Sequence, residues 1–116
     1  MAARLSAFPI LKLKLGRAVS DIDTVAAVRK ARPDARVWVD ANAGWSLDDA
    51  IKLVKDLEKH RIELLEQPLD KHDFDGLGRL QAGTSIPIVA DESVQKFEDI
   101  EALFKTGING VNNKLM

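Results

Sequence analysis

Five short apolar runs, each closing on a charged residue and recurring about every 25 positions, constrain this chain more than any other feature. They are Ile10-Leu11-Lys12-Leu13-Lys14, Val37-Trp38-Val39-Asp40, Ile62-Glu63-Leu64-Leu65-Glu66, Pro87-Ile88-Val89-Ala90-Asp91 and Val111-Asn112-Asn113-Lys114. Helical patterns fill the intervals, so the runs read as the strands of an α/β fold built from parallel βα repeats. Ligands and catalytic groups of such folds gather at the carboxyl ends of the strands. In chain order the terminal charges are Lys14, Asp40, Glu66, Asp91 and Lys114. Three acids between two lysines on one rim suggest a metal site set between two proton-transfer groups. A βα series that ends on a strand suits an open sheet, or a barrel of which part is absent.

The helices are legible at different strengths. Ser20 is expected to cap the first, with Asp21 and Asp23 favourable in its first turn and Pro33 marking the exit. Its apolar stripe is Ile22, Val25 and Ala26 to Val28. The second is the best defined. Ser46 and Asp49 resemble a capping box, and Leu47, Ala50, Ile51, Val54 and Leu57 fall at helical spacing before the cations Lys59 to Arg61. A third, around Phe74, Leu77 and Leu80, is weakened by Gly76 and Gly78. The fourth spans Phe97 to Lys105, with Ile100, Leu103 and Phe104 inward and Gly107 as its C′ residue. No linker or low-complexity tract interrupts the series, so residues 1–116 are expected to form one domain.

Composition narrows the partners. A net charge of −1 offers no electrostatic pull toward nucleic acid or an anionic membrane. No apolar stretch reaches the length of a membrane span, which makes a cytoplasmic location the expectation. There is no cysteine, so disulfides, thiolate metal sites and cysteine nucleophiles are excluded.

Lys12 and Lys14 are two apart on one strand and share a face. Lysines guard exposed strand edges, but this strand alternates with leucine. If Leu11, Leu13 and Leu15 face the helices, the lysines face a crevice, where burial and a neighbouring cation lower a lysine toward a usable base. Asp40, Glu66 and Asp91 each close a central strand. One alone reads as a helix cap. Three on adjacent strands about 4.8 Å apart converge, repel one another and call for a hard divalent ion. Oxygen donors without cysteine or histidine favour Mg²⁺ or Mn²⁺ over Zn²⁺. Asn42 shares the face of Asp40 and is expected to orient a substrate carboxylate or the metal shell, whereas Glu92 is expected to point away from Asp91. Trp38 and Trp45 read as packing residues, and His60 and His72 as exposed.

With these segments in place the chain resembles the enolase superfamily, in its muconate-lactonizing and dipeptide-epimerase branch. The matching motifs are Lys12-Leu13-Lys14, Asp40-Ala41-Asn42-Ala43-Gly44-Trp45, Glu66-Gln67-Pro68, Asp91-Glu92-Ser93 and Asn113-Lys114-Leu115-Met116. Asn113 departs from the apolar residue usual there. The resemblance implies a partial TIM barrel, its second to sixth strands, with the N-terminal capping domain and last barrel segments absent. It further implies that Asp40, Glu66 and Asp91 bind Mg²⁺, which stabilises an enediolate formed from a carboxylate substrate, a dipeptide of the L-Ala-D/L-Glu type. Lys14 and Lys114 become the acid and base on opposite faces, and Lys12 neutralises the carboxylate. Muconate cycloisomerase, o-succinylbenzoate synthase and N-acylamino acid racemase activities belong to the same branch. An isolated segment of this kind is expected to be inactive or nearly so, and to self-associate through open barrel edges. Two readings from other classes are a phosphoacceptor signalling domain with an open five-stranded sheet and a non-catalytic half-barrel scaffold.

Overall fold

The computed structural model describes residues 10–17 and 19–112; Lys114 and Asn113, both singled out by the sequence, lie outside them. Among the described residues, strands β1 (Ile10–Lys14), β2 (Arg36–Asp40), β3 (Leu64–Glu66), β4 (Ile88–Ala90) and β5 (Gly110–Val111) alternate with helices α1 (Val19–Ala31), α2 (Leu47–Lys59), α3 (Phe74–Ala82) and α4 (Phe97–Lys105). The third and fourth strands are shorter than the apolar runs that announce them, because Ile62, Glu63, Pro87 and Asp91 lie in the flanking loops.

All neighbouring strands are parallel, and their order in the sheet is their order in the chain, β1-β2-β3-β4-β5. Each βα unit therefore steps the same way, and successive helices pack against one another. This is how the wall of a βα barrel grows. A doubly wound sheet reverses direction partway, as the order 2-1-3-4-5 of phosphoacceptor domains does, so that rival reading is set aside.

The pleat sorts the side chains. Val37, Val39, Leu65, Ile88 and Ala90 are buried beneath the helices, with Leu11 and Leu13 packed against the same core. They meet Ala50, Leu53, Val54 and Leu57 of α2, Leu77 and Leu80 of α3, and Leu103 of α4. Each fully buried leucine contributes about 1.5–3 kcal/mol. The opposite face carries Lys12, Lys14, Asp40 and Glu66.

Helix starts use two devices. Ser46 Oγ accepts the Asp49 N–H at 3.1 Å, and Asp73 Oδ1 accepts the Gly76 N–H at 2.9 Å, which caps α2 and α3 from outside. In α1 and α4 the acid sits inside the first turn and reaches back. Asp21 accepts from Gly16 and Arg17, and Asp99 from Gln95 and Lys96. Ser20 is thus not the cap of α1: the helix begins at Val19, and the Ser20 hydroxyl donates to the Arg17 carbonyl.

Other departures have packing reasons. The third helix forms because its glycines are tools of close approach: a Cβ on Gly78 would lie 2.5 Å from the Thr106 carbonyl oxygen. Ile51 and Phe104 face outward, 46% and 48% exposed, because Ala50, Val54 and Leu103 already fill the contacts of α2 and α4 with the sheet. His60 is half-buried at the end of α2. Gly107, at φ +99°, ends α4 as expected. The amino-terminal rim is tied by Arg29, which donates to the carbonyls of His60 at 2.9 Å and Ala35 at 2.6 Å, with longer contacts to Arg61, Arg32 and Pro33.

Candidate active site

Register brings the charged residues together. Lys14 pairs with Asp40, and Asp40 with Glu66, so the three stand side by side at the carboxyl ends of β1, β2 and β3. Glu66 pairs with Val89, which puts Asp91 two residues further along the same face. Asp40 and Glu66 are buried, at 6% and 5% exposure. Lys12 reaches across the sheet from lower on β1, its Nζ 3.5 Å from Glu66 Oε1.

Glu66 is the electrostatic centre of the group. Burial raises its pKa above the ordinary glutamate range, and a hydrogen bond with Asp91 and the charge of Asp40 push in the same direction. The Lys12 ammonium pulls weakly the other way. A buried carboxyl crowded by two other acids and faced by one cation is short of positive charge.

Among the described residues no three acids or histidines are grouped closely enough to hold a metal ion. Asp40 Oδ1 accepts the Asn42 N–H at 2.9 Å, and the Glu66 and Asp91 carboxyls lie close enough that a proton on one would bridge to the other. The donor set still suits a hard cation, being oxygen throughout, with a carboxyl whose protonation is favoured where an ion would relieve it. Both histidines are elsewhere, His60 at the end of α2 and His72 exposed before α3.

Asn42 acts as a strut as well as a neighbour of Asp40. Its backbone is left-handed (φ +53°), and its Nδ2 donates to the Leu15 carbonyl at 3.0 Å, joining the ends of β1 and β2. The following Ala43 is left-handed too (φ +59°). Two such non-glycine residues in succession just past Asp40 are the strained backbone typical of functional loops. Beside them a cavity of about 540 Å³ is lined by Lys14, Gly16, Arg17, Asp21, Asn42 and Gly44. A Cβ on Gly44 would come within 2.5 Å of Gly16 backbone, so glycine is required for the two loops to touch. Asp21 fixes the first loop, its Oδ2 also accepting the Trp45 indole N–H at 2.8 Å.

Sequence reasoning gave no role to Gln67, although the structure makes it a hub. It is fully buried and left-handed at φ +42°. Its backbone N–H donates to Val89 and its carbonyl accepts from Ala43, while its side chain bonds Leu69, Asp91 and Ser93. A glutamine following a strand-ending acid has no signature of its own; only the folded chain shows where the amide goes.

A singly wound parallel βα wall whose strand ends bring Lys14, Asp40 and Glu66 side by side defines the class, a barrel-type α/β protein. The family model for Enolase C-terminal domain-like proteins matches residues 1–116, and the chain belongs to that family. It is 38% identical over 112 residues to a hydrophobic dipeptide epimerase of Enterococcus faecalis, spanning 94% of this chain and 32% of the relative. It is 36% identical over 110 residues to an L-Ala-D/L-Glu epimerase of Bacteroides thetaiotaomicron, spanning 94% of this chain and 28% of the relative. Among solved structures, the dipeptide epimerase from Enterococcus faecalis V583 complexed with Mg and the dipeptide L-Leu-L-Tyr superposes with a TM-score of 0.84 at 35% identity, covering 91% of this chain and 31% of that one. The chain thus spans about a third of the length of the curated relatives it matches.

Proposed function

We propose that this chain supplies the metal-holding and proton-moving rim of a Mg²⁺-dependent racemase or epimerase that acts on the carbon α to a carboxylate, with a dipeptide of the L-Ala-D/L-Glu type as substrate. The observation that carries the reading is the surroundings of Glu66, where Asp91, Asp40 and Lys12 all act on one buried carboxyl. The two epimerase relatives and the Mg-bound epimerase structure support the same chemistry.

Asp40, Glu66 and Asp91 would hold the ion through oxygen donors. When bound, the ion supplies positive charge against the negative charge that develops on the substrate carboxylate as the α-proton leaves. Lys14, beside Asp40 and in the lining of the cavity, takes or returns that proton on one face of the substrate. Lys114 is assigned the opposite face. Lys12, already paired with Glu66, adds a second positive charge near the carboxylate.

Titration calorimetry of the chain with MgCl₂ tests the site. One binding event of roughly millimolar affinity or tighter is expected, lost in Glu66→Gln and retained in Asp49→Asn on α2. Exchange of the α-proton of an Ala-Glu dipeptide for deuterium, followed by NMR, tests the chemistry: at most slow exchange is expected of the isolated segment, and Lys14→Met should abolish it. Equal Mg²⁺ uptake by wild type and Glu66→Gln would refute the assignment.

A further inference from the structure

Gln67 spends every hydrogen-bonding position of its side chain on one task. An amide offers two N–H donors and an oxygen with two lone pairs. Here Nε2 donates to the Leu69 carbonyl at 2.8 Å and to Ser93 Oγ at 2.9 Å. Oε1 accepts the N–H of Asp91 at 2.8 Å and that of Ser93 at 3.1 Å. Gln67 and Ser93 are 0% and 2% exposed, so these bonds are shielded from solvent.

The main chain of Gln67 extends the link. Its N–H donates to the Val89 carbonyl on β4 at 2.8 Å, and its carbonyl accepts the Ala43 N–H, three residues past Asp40, also at 2.8 Å. One residue therefore joins the ends of β2, β3 and β4, the three strands that deliver Asp40, Glu66 and Asp91. Its left-handed backbone is costly for a side chain larger than glycine's and persists because the surrounding bonds over-determine it. Asp91 lies beyond the last residue of β4, where the ladder no longer sets its position. A clamp on its backbone is what orients its side chain.

We infer that Gln67 is a positioning residue, whose amide fixes where the Asp91 carboxylate stands relative to Glu66 and Asp40. The inference rests on the carboxylate site proposed above. It assigns Gln67 no contact with substrate or ion; the residue acts through the Asp91 backbone. Groups that orient metal ligands typically change metal affinity by about 10–100-fold when removed.

The test measures Mg²⁺ affinity by calorimetry, and amide hydrogen exchange at Asp91 and Ser93, in wild type, Gln67→Met, Ser93→Ala, Asp91→Asn and Val54→Ala. Gln67→Met should weaken Mg²⁺ binding about 10-fold or more and speed exchange at Asp91 and Ser93. Val54→Ala loosens the core under α2 and should leave affinity unchanged, which separates positioning from general destabilisation. If Gln67→Met fails to fold, Ser93→Ala decides: it removes one partner of Nε2 and should weaken binding by a few fold, and unchanged affinity overturns the role. If Asp91→Asn loses the ion and Gln67→Met binds as wild type does, the site stands and the positioning role is overturned. If wild type and Asp91→Asn behave alike, the carboxylate site itself fails and the inference falls with it.

Discussion

Replacing Asp21 probes how the loop after Lys14 is held. Asp21 Oδ2 accepts from the Gly16 N–H at 3.0 Å, the Arg17 N–H at 2.7 Å and the Trp45 indole N–H at 2.8 Å. Asp21 is 4% exposed and Trp45 3%, whereas Arg17 is exposed. Hydrogen bonds to a charged acceptor contribute about 1.5–3 kcal/mol each, neutral ones about 1. Asp21→Asn keeps an acceptor but loses the charge, which costs about 2–3 kcal/mol. Asp21→Ala leaves the buried indole N–H unsatisfied while the Arg17 amide turns to water, for a loss of about 3–5 kcal/mol. That is a large part of the roughly 5–15 kcal/mol that stabilises a domain. Trp45→Phe removes one donor and leaves the carboxylate two, so about 1–2 kcal/mol is expected. Urea denaturation followed by far-UV circular dichroism gives all three values, and the double variant Asp21→Ala/Trp45→Phe should be about 1 kcal/mol or more better than the sum of the singles. A loss below about 0.5 kcal/mol for Asp21→Ala, or a strictly additive cycle, would show that these bonds do not secure the loop.

Glu66→Gln should bind no Mg²⁺ yet gain stability relative to wild type as pH rises. Glu66 holds its proton more tightly folded than unfolded, so wild-type stability falls from the ordinary glutamate range up through the raised folded value and stays lower above it. Denaturation midpoints near pH 4 and pH 7 check this, and a pH-independent difference between the two proteins would contradict it. Gly78→Ala should cost about 1–3 kcal/mol despite the better helix former, because its Cβ meets the Thr106 carbonyl at 2.5 Å. Gly83→Ala, whose Cβ finds only the Leu80 oxygen at 3.6 Å, should be neutral or stabilising in the same melts. Arg29→Ala should cost about 3 kcal/mol by releasing the carbonyls of His60 and Ala35, and Arg29→Lys should recover less than half, since an ammonium cannot span both. Urea midpoints of the two variants decide it.

The rhythm of apolar runs and charges determined the parallel βα class, the strand positions and the rim of Lys14, Asp40, Glu66 and Asp91, because pleat and crossover length follow from local pattern. Capping and termination by Ser46 and Gly107 were legible for the same reason: their partners lie within a few residues. What the sequence misassigned depended on distant neighbours. Ser20 has the chemistry of a cap, but Asp21 captures the loop because Trp45, from the next βα unit, shares its carboxylate. Gly76 and Gly78 read as helix breakers until the Asp73 cap closes over the first and the Thr106 turn arrives against the second. The outward turn of Phe104 depends on how much of the core Leu103 already fills.

The site divides along the same line. Which acids face one another was set by strand register, and register follows from which face is apolar. How they are held was decided only in three dimensions, by the closeness of Glu66 and Asp91, by Lys12 crossing from lower on β1, and by Gln67 tying three strand ends through its main chain and its side-chain amide. Periodicity reports the direction in which a side chain leaves its strand. The partner it meets there comes from a segment more than twenty residues away, and that pairing exists only once the sheet has closed the distance.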